Sequence, residues 1–387
     1  MSRQVTDAVV VGGGLAGLAA AVAVAKAGLT TVHVAPKGPP DRRSSALMNP
    51  SVELLRQLGL IGDPEALGHP LTQIRIIDAT NRLIRAPETL FDSQDAGLHA
   101  FGWNFPNVAL TAAFEAVRSH FLNLTTLEAP LAAIEVGVDA HVLTLADGST
   151  IESRLVVGAD GKKSTVRAAA GIPVREHAFA QAALVCDLTL GRPLKGTSVE
   201  FHYDQGPFTL VPAGDDHCNL VWIDDRAVLD AAKEAGSERL IAEFMQRSMR
   251  LFGEIGLAGP AHVFPLSTLT VAKAGSRGVV LVGEAAHAFP PIGAQGLNLG
   301  LRDVADLSAA LVDVDRSAAA WAGQVSDDYA RRRAGDLGRT GAVVDALFRS
   351  LLAEMLPAQA LRAGGLWALK LLPALRKQAF SVGMGAR

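Results

Sequence analysis

The sequence is poor in cysteine and aromatic residues, and its charges nearly balance. Its two cysteines, Cys186 and Cys218, provide neither a disulfide framework nor a metal-site spacing, so we expect small core residues in a reducing cytoplasm. Aromatic residues make up 5% of the chain. The 36 Lys and Arg residues against 39 Asp and Glu give a net charge of −3, which excludes a basic field that recruits nucleic acid.

One charge-free run of 18 residues, Ala8–Ala25, is long enough to suggest a membrane span. However, it contains four glycines and opens with three consecutive valines. A buried strand, a glycine turn and an alanine-rich helix explain this asymmetry better than a membrane helix does. We therefore expect a strand–turn–helix unit here.

The glycine turn of this unit has the pattern GxGxxG. Gly12 permits the tight turn, Gly14 lets a pyrophosphate approach the backbone, and Gly17 allows close packing of helix and strand. The helix N-terminus adds N–H groups and a positive dipole. The alternative is an ordinary glycine turn, but the setting favours dinucleotide binding, with the ligand held by Gly12, Gly14, Leu15, Ala16 and Gly17.

The acidic residue that usually completes this motif is absent. It normally follows the second strand and binds the ribose hydroxyls, but the sequence has Ala35 there. A missing charged hydrogen bond costs roughly 10- to 100-fold in affinity. Either another group reaches the ribose or the cofactor is held loosely. We expect the second outcome, with little cofactor retained on purification.

Two later segments add to the site. Gly158–Arg167 is a strand end, an Asp-Gly turn with Asp160, and a short helix capped by Ser164. Alone, this segment would be an ordinary capped turn.

In 277–300, a buried strand delivers Glu284 to its carboxyl end, where open α/β sheets bind ligands. A metal site at Glu284 and His287 would need more ligands, so we expect none.

The loop after Glu284 is suited to a flat ring. Pro290 and Pro291 stiffen it, while Gly293 and Gly296 permit close backbone approach. A helix beginning near Leu297 directs its positive end toward the same place. We expect this loop to position the reactive ring, with Pro291, Gly293 and Gly296 as the catalytic loop residues and no acid or base assigned.

Together, these three motifs resemble the FAD-dependent aromatic hydroxylases, whose fold is similar to that of para-hydroxybenzoate hydroxylase. The resemblance extends over nearly the whole chain, and residues 291–303 are most similar to the ubiquinone-biosynthesis subgroup. The sequence departs from the family at two positions, with Glu284 in place of aspartate and Ala35 in place of an acidic residue. The resemblance further implies that these residues bind the cofactor: Arg43, Asn107, Asp160, Glu284, Gly293, Gln295, Gly296, Leu297 and Asn298.

The family's fold is α/β, with a Rossmann-like FAD-binding domain interleaved with a mixed β-sheet substrate domain and followed by a helical C-terminal region. We expect the FAD-binding domain to be discontinuous. The predicted divisions are 1–70, 100–175 and 271–340 for FAD, 71–99 and 176–270 for substrate, and 341–387 for the C-terminal region.

The resemblance also implies the chemistry. NAD(P)H would reduce FAD, which would activate oxygen to hydroxylate an aromatic ring, in this subgroup that of a polyprenylated phenol. Such a substrate favours a cytoplasmic protein that associates peripherally with the inner face of the membrane or with a biosynthetic complex. Leu366–Phe380 could rest on a membrane, although Pro373 interrupts it and an ordinary covering helix explains it better. Two alternatives remain, an FAD-poor non-catalytic scaffold and a hydroxylase of a small soluble aromatic acid.

Overall fold

A computed structural model of the chain describes residues 3–81, 85–291, 293–312 and 314–352. Its helices are α1 Leu15–Lys26, α2 Asn49–Leu58, α3 Asn107–Arg118, α4 Thr165–Ala169, α5 Arg226–Glu234, α6 Ser237–Arg247, α7 Gln295–Val312 and α8 Trp321–Leu352. Its strands are β1 Arg3–Val11, β2 Thr31–Val34, β3 Ser44–Met48, β4 His69–Leu71, β5 Gln73–Asp78, β6 Thr89–Asp92, β7 Gly102–Pro106, β8 Leu124–Leu127, β9 Leu131–Val136, β10 His141–Leu145, β11 Thr150–Gly158, β12 Val174–Leu190, β13 Thr197–Tyr203, β14 Gly206–Pro212, β15 His217–Asp225, β16 Ile255–Leu257, β17 His262–Val271, β18 Gly275–Ser276, β19 Val279–Leu281 and β20 His287–Ala288.

The first sheet contains, among the described strands, a parallel core in the order β19-β11-β1-β2-β8. Its apolar strands are buried on both faces, as parallel sheets require. The charge-free run forms β1, the glycine turn and α1, whose residues Leu18–Ala25 are all buried, and α1 packs between α3 and α7. The carboxyl ends of the parallel strands therefore meet at one edge of the sheet. The cofactor motifs follow directly after the strands at this edge.

The second sheet follows the order β20-β17-β12-β15-β14-β13-β5-β6 within the described chain, with β16 beside β12. One face packs against α5 and α6 through large apolar side chains, including Phe208, Trp222 and Phe244. Cys186 and Cys218 lie in this core, as expected. Burial raises the pKa of the Cys186 thiol to about 12, so it remains protonated and unreactive.

A small sheet, β3-β7-β4, connects the two larger ones. Asn104 of β7 donates to the Pro212 carbonyl oxygen at 2.8 Å and to Asn219 Oδ1 at 2.7 Å, both on the second sheet. Asn219 in turn donates to Asp187 Oδ1 at 2.6 Å. This chain of side-chain hydrogen bonds connects the second sheet to β7, the strand that leads back to the cofactor motifs.

The predicted α/β fold with interleaved sheets is confirmed, since the first sheet takes strands from three distant parts of the chain and the second sheet takes strands from between them, together with β20. The exact domain boundaries stay a prediction. Within the described ranges, no helix is both long and apolar enough to cross a membrane. The segment Leu366–Phe380, with its proposed membrane contact, lies outside the described residues.

Candidate FAD site

The glycine turn joins the end of β1 to the start of α1. Gly12 has φ +128°, and a Cβ there would lie 2.1 Å from the Ala159 carbonyl oxygen, so no other residue fits. A Cβ at Gly17 would lie 2.0 Å from the Gly12 carbonyl oxygen. Gly14 differs, because apart from its chain neighbours no described atom lies within 4 Å of a Cβ placed there. Gly14 therefore faces open space where the motif predicts a pyrophosphate.

The N-terminus of α1 is suited to an anion. Gly14 is its N-cap, no described side chain caps the helix, and its first turn contains no acidic residue. The N–H groups of the first turn, which includes Leu15 and Ala16, are thus left for a ligand, together with the positive end of the helix dipole. The structure brings the predicted phosphate-binding residues of this turn together in one cradle.

The end of β2 flanks this cradle without a carboxylate of its own. The Cβ of Ala35 lies 3.4 Å from the position a Cβ would take at Gly13. His33, two residues earlier in the strand, is fully buried, and its Nε2 donates to the Gly12 carbonyl oxygen at 2.9 Å, so this nitrogen is already engaged. Burial lowers the pKa of His33, so the imidazole that holds the Gly12 carbonyl oxygen of the glycine turn is neutral.

The second motif lies directly against the first. The Asp160 carboxylate accepts from the backbone N–H groups of Thr165 and Val166 at 2.7 and 3.1 Å, and from Ser164 Oγ at 2.5 Å. Ser164 Oγ also accepts from the Arg167 N–H, the predicted cap. Asp160 thus supports the start of α4 through contacts that the sequence does not reveal. Its predicted contact with the cofactor is not seen directly and stays a prediction.

Glu284 lies in a short turn, Gly283–Ala285, immediately after β19. The residues beside it are buried, but Glu284 itself is exposed at the strand-end surface. Cβ atoms placed at Gly283 and Gly300 would lie 3.3 and 3.4 Å from the Ala16 Cβ. The turn and α7 therefore pack against the first turn of α1, which holds Glu284 beside the phosphate cradle.

Arg43 is oriented by a carboxylate and an amide. Its guanidinium donates to both oxygens of Asp41 at 2.8 Å, and Asn107 donates to Asp41 Oδ2 at 2.9 Å while accepting from Ser45 Oγ at 2.7 Å. Burial opposes ionisation of Asp41, but the hydrogen bonds from Arg43 and Asn107 outweigh it and lower the pKa to about 2. The bond to Asp41 and the charge of Glu284 both raise the pKa of Arg43, so these predicted residues share one electrostatic environment.

A buried carboxylate holds the Glu284 turn from behind. Asp303 Oδ2 accepts from the Gly283 N–H at 2.8 Å and from His287 Nε2 at 2.6 Å, and both side chains are 1% exposed. Asp303 Oδ2, on α7, thereby connects Gly283 and His287, which lie on either side of Glu284. His287 therefore helps to hold the Glu284 turn from its buried position.

Asp303 is itself neutralised from α8. Its Oδ1 lies 2.7 Å from Arg333 Nε, and the Arg333 side chain is 0% exposed. Arg333 also pairs with Asp306 and Asp336, at 3.0 and 2.7 Å, and Asp336 pairs with Arg302. Burial disfavours the charge on Asp336, but the two guanidinium groups prevail and lower its pKa to about 2. This ion cluster connects α7, α8 and the Glu284 turn.

The predicted ring-positioning loop lies at the N-terminus of α7. Pro291, Gly293 and Gly296 are exposed, and the consecutive residues Gly293 and Ala294 have φ +64° and +54°. A left-handed alanine costs about 1–2 kcal/mol, so this conformation is imposed by the surrounding contacts. Gln295 contributes one of them, with its Nε2 donating to the Gly293 carbonyl oxygen at 3.0 Å.

Asn298 holds this loop to the connecting sheet. Its Nδ2 donates to the carbonyl oxygens of Ala294 and Ala46 at 2.6 and 2.8 Å, and its Oδ1 accepts from the Met48 N–H at 2.9 Å. Asn298 is 2% exposed, while Leu297 is half-buried beside it. The structure assigns Asn298 a positioning role, and any direct contact with the cofactor stays a prediction.

The glycine turn, an uncapped helix N-terminus and a strand-end carboxylate define a dinucleotide-binding enzyme of the open α/β class. The chain matches the FAD binding domain family over residues 5–335. It is 30% identical to ubiquinone hydroxylase UbiL of Rhodospirillum rubrum, over 99% of this chain and 90% of that protein. It is also 30% identical to 3-demethoxyubiquinol 3-hydroxylase of Escherichia coli, over the full length of both.

Among solved structures, p-nitrophenol 4-monooxygenase PnpA from Pseudomonas putida superposes with a TM-score of 0.81 at 18% identity, over 100% of both chains. The chain therefore belongs to the FAD binding domain family, and the predicted FAD-dependent aromatic monooxygenase is confirmed. The open space at Gly14 and the uncapped α1 suit the FAD diphosphate. Among the described residues, no group of three or more His, Cys, Asp or Glu side chains could hold a metal ion.

Proposed function

We propose that this enzyme hydroxylates the ring of a polyprenylated phenol in ubiquinone biosynthesis, using NAD(P)H and oxygen. The observation that carries the proposal is the end-to-end similarity to two proteins named as ubiquinone-pathway hydroxylases. A polyprenylated phenol resides in the bilayer, so we also propose that the protein associates with a membrane surface or with a complex that delivers the substrate.

FAD, when bound, would accept a hydride and activate oxygen. The chain's residues would bind and orient it. The glycine turn would hold the diphosphate, Glu284 would accept hydrogen bonds from the ribitol, and Arg43 would lie beside both. The loop from Pro291 to Gly296 would bring backbone N–H groups to the ring and keep water from it.

The second sheet supports a neutral substrate. In β15, Cys218, Leu220 and Trp222 point into the core beneath α5 and α6, so Asn219 and Val221 point to the opposite face. Asn219 accepts from Asn104 of the connecting sheet, which joins the second sheet to the cofactor motifs, and this contact supports the proposal that the same face borders the substrate. The central strands β13, β14 and β15 contain neither lysine nor arginine, and His202 on this face is paired with Glu200 at 3.0 Å. A phenol fits this surface better than an aromatic carboxylate, which would need a cation.

The proposal is tested by supplying purified protein with FAD and either NADH or NADPH, and then adding small aromatic acids or prenylated phenols as candidate substrates. We expect a short-chain prenylated phenol to stimulate NAD(P)H oxidation and to gain one oxygen atom, detected by mass spectrometry. The Gly14→Val variant is the matched control and should be inactive. Hydroxylation of 4-hydroxybenzoate instead would contradict the proposed substrate class.

A second candidate is a non-catalytic scaffold that binds little FAD, and Ala35 is the observation that favours it. This alternative predicts that NAD(P)H oxidation is unaffected by FAD, substrate or the Gly14→Val change. It also predicts that Gly14→Val supports ubiquinone synthesis in cells as well as the unaltered protein does.

A further inference from the structure

The carboxylate of Glu128 lies at the same edge of the sheet as Ala35, at the end of the neighbouring strand β8. β2 and β8 are parallel neighbours in register, with Val34 opposite Leu127, and the Ala35 N–H donates to the Leu127 carbonyl oxygen at 2.9 Å. Glu128 follows Leu127 directly and thus leaves the sheet beside Ala35. Neighbouring parallel strands are about 4.8 Å apart, within reach of a glutamate side chain.

The Glu128 carboxylate is directed toward the second strand. It pairs at 2.7 Å with the ammonium group of Lys37, which lies two residues beyond Ala35. The hydrogen bond to Glu128 and its charge raise the pKa of Lys37. Both side chains are largely exposed, 54% for Glu128 and 81% for Lys37, so a ligand that lies across the strand ends can reach them.

The ligand's path follows from the cradle. In dinucleotide-binding folds of this class, the diphosphate binds at the glycine turn and the adenosine ribose binds beside it, at the end of the second strand. Ala35 occupies that position, in contact with the glycine turn. A carboxylate has acceptor sites for several donors, so Glu128 can keep its bond to Lys37 and still accept from a ribose hydroxyl.

We propose that Glu128, oriented by Lys37, binds the adenosine ribose of FAD in place of the acidic residue missing at Ala35. The ribose contact then comes from the residue that follows β8, whereas in the usual motif it comes from the end of the second strand, β2. This inference concerns cofactor binding and does not depend on which ring is hydroxylated. It replaces the expectation that the protein retains little FAD, which considered the second strand alone.

Calorimetric titration of apoprotein with FAD tests this role. Glu128→Gln removes the charge with little change in shape and should raise the FAD dissociation constant roughly 10-fold. Glu53→Gln is the matched control, since Glu53 is 57% exposed and pairs with Arg56 on α2, away from the strand ends. The control should bind FAD unchanged, and both variants should keep the melting temperature of the unaltered apoprotein, because exposed ion pairs contribute little to stability.

A second carboxylate separates ribose binding from a general charge effect. Ala35→Glu should improve FAD binding little in the unaltered protein, because Glu128 already serves the ribose. In the Glu128→Gln background, the same change should restore the lost affinity. Unchanged FAD affinity in Glu128→Gln would overturn the proposal, and so would an equal gain from Ala35→Glu in both backgrounds.

Discussion

The three glycines of the GxGxxG motif should respond differently to the addition of a side chain. Gly14 has φ −72° and ψ 169°, which any residue adopts, and no described atom beyond its chain neighbours lies within 4 Å of its Cβ position. Gly14→Val should therefore fold with unchanged stability. The new side chain would occupy the space of the diphosphate, so FAD affinity should fall by at least about 100-fold, or about 2.7 kcal/mol.

The other two glycines should affect the fold instead. Gly12→Ala combines a glycine-specific φ of +128° with a Cβ that would lie only 2.1 Å from the Ala159 carbonyl oxygen. The strain costs roughly 1–3 kcal/mol and the overlap a further 1–3 kcal/mol, so the loss should be about 2–6 kcal/mol. Gly17→Ala has ordinary helical geometry, but its Cβ would lie only 2.0 Å from the Gly12 carbonyl oxygen, which predicts a loss of about 1–3 kcal/mol.

The assay pairs urea unfolding of the three apoproteins with calorimetric FAD titration. The predicted pattern is a stable Gly14→Val protein that does not bind FAD, and two destabilised alanine variants. Normal FAD binding by Gly14→Val would refute the assignment of the cradle. Destabilisation of Gly14→Val to the level of Gly12→Ala would refute the geometric reasoning, since the loss of FAD would then reflect misfolding.

Three further outcomes are expected. Glu284→Ala should weaken FAD roughly 10-fold in a fluorescence titration, and Glu284→Asp should weaken it less; equal losses would show that side-chain length matters more than the carboxylate. Arg333→Met should destabilise the protein by about 3–5 kcal/mol in urea, because it leaves three buried carboxylates without their common partner, whereas a surface control, Arg331→Met, should change little. The folded pKa of Asp336, about 2, lies below its ordinary 3.8, so its stabilisation is complete above pH 3.8 and is lost as the pH falls toward 2. Asp336→Asn should therefore lose less stability than the unaltered protein between pH 4 and pH 2, and parallel acid unfolding curves would contradict this.

The sequence predicts the parts of the site that depend on local pattern. A valine run, three glycines and an alanine-rich stretch were sufficient to place β1, the turn and α1, because each element's burial is visible in its own residues. The same holds for Glu284, since a short buried strand ends directly before it. The cap at Ser164 was likewise predictable from its position before a short helix.

The supports of the site were not predictable in this way. Asp303, His287 and Arg333 are charged or polar residues that become buried together when α7 and α8 meet the Glu284 turn, and buried charges contradict the usual pattern of helix faces. The contact of His33 with the Gly12 carbonyl oxygen, 21 residues away, likewise does not follow from the strand pattern. Glu128 could not be found from the sequence, because its proximity to Ala35 arises from pairing between strands about 90 residues apart.

The quinone profile of a strain that lacks this gene tests the central claim most directly. Lipid extracts analysed by mass spectrometry should show loss of ubiquinone and accumulation of a prenylated ring one hydroxylation short of the next intermediate. The unaltered gene should restore ubiquinone, and the gene encoding Gly14→Val should not. A normal ubiquinone profile in the deletion strain, or full restoration by Gly14→Val, would contradict the account.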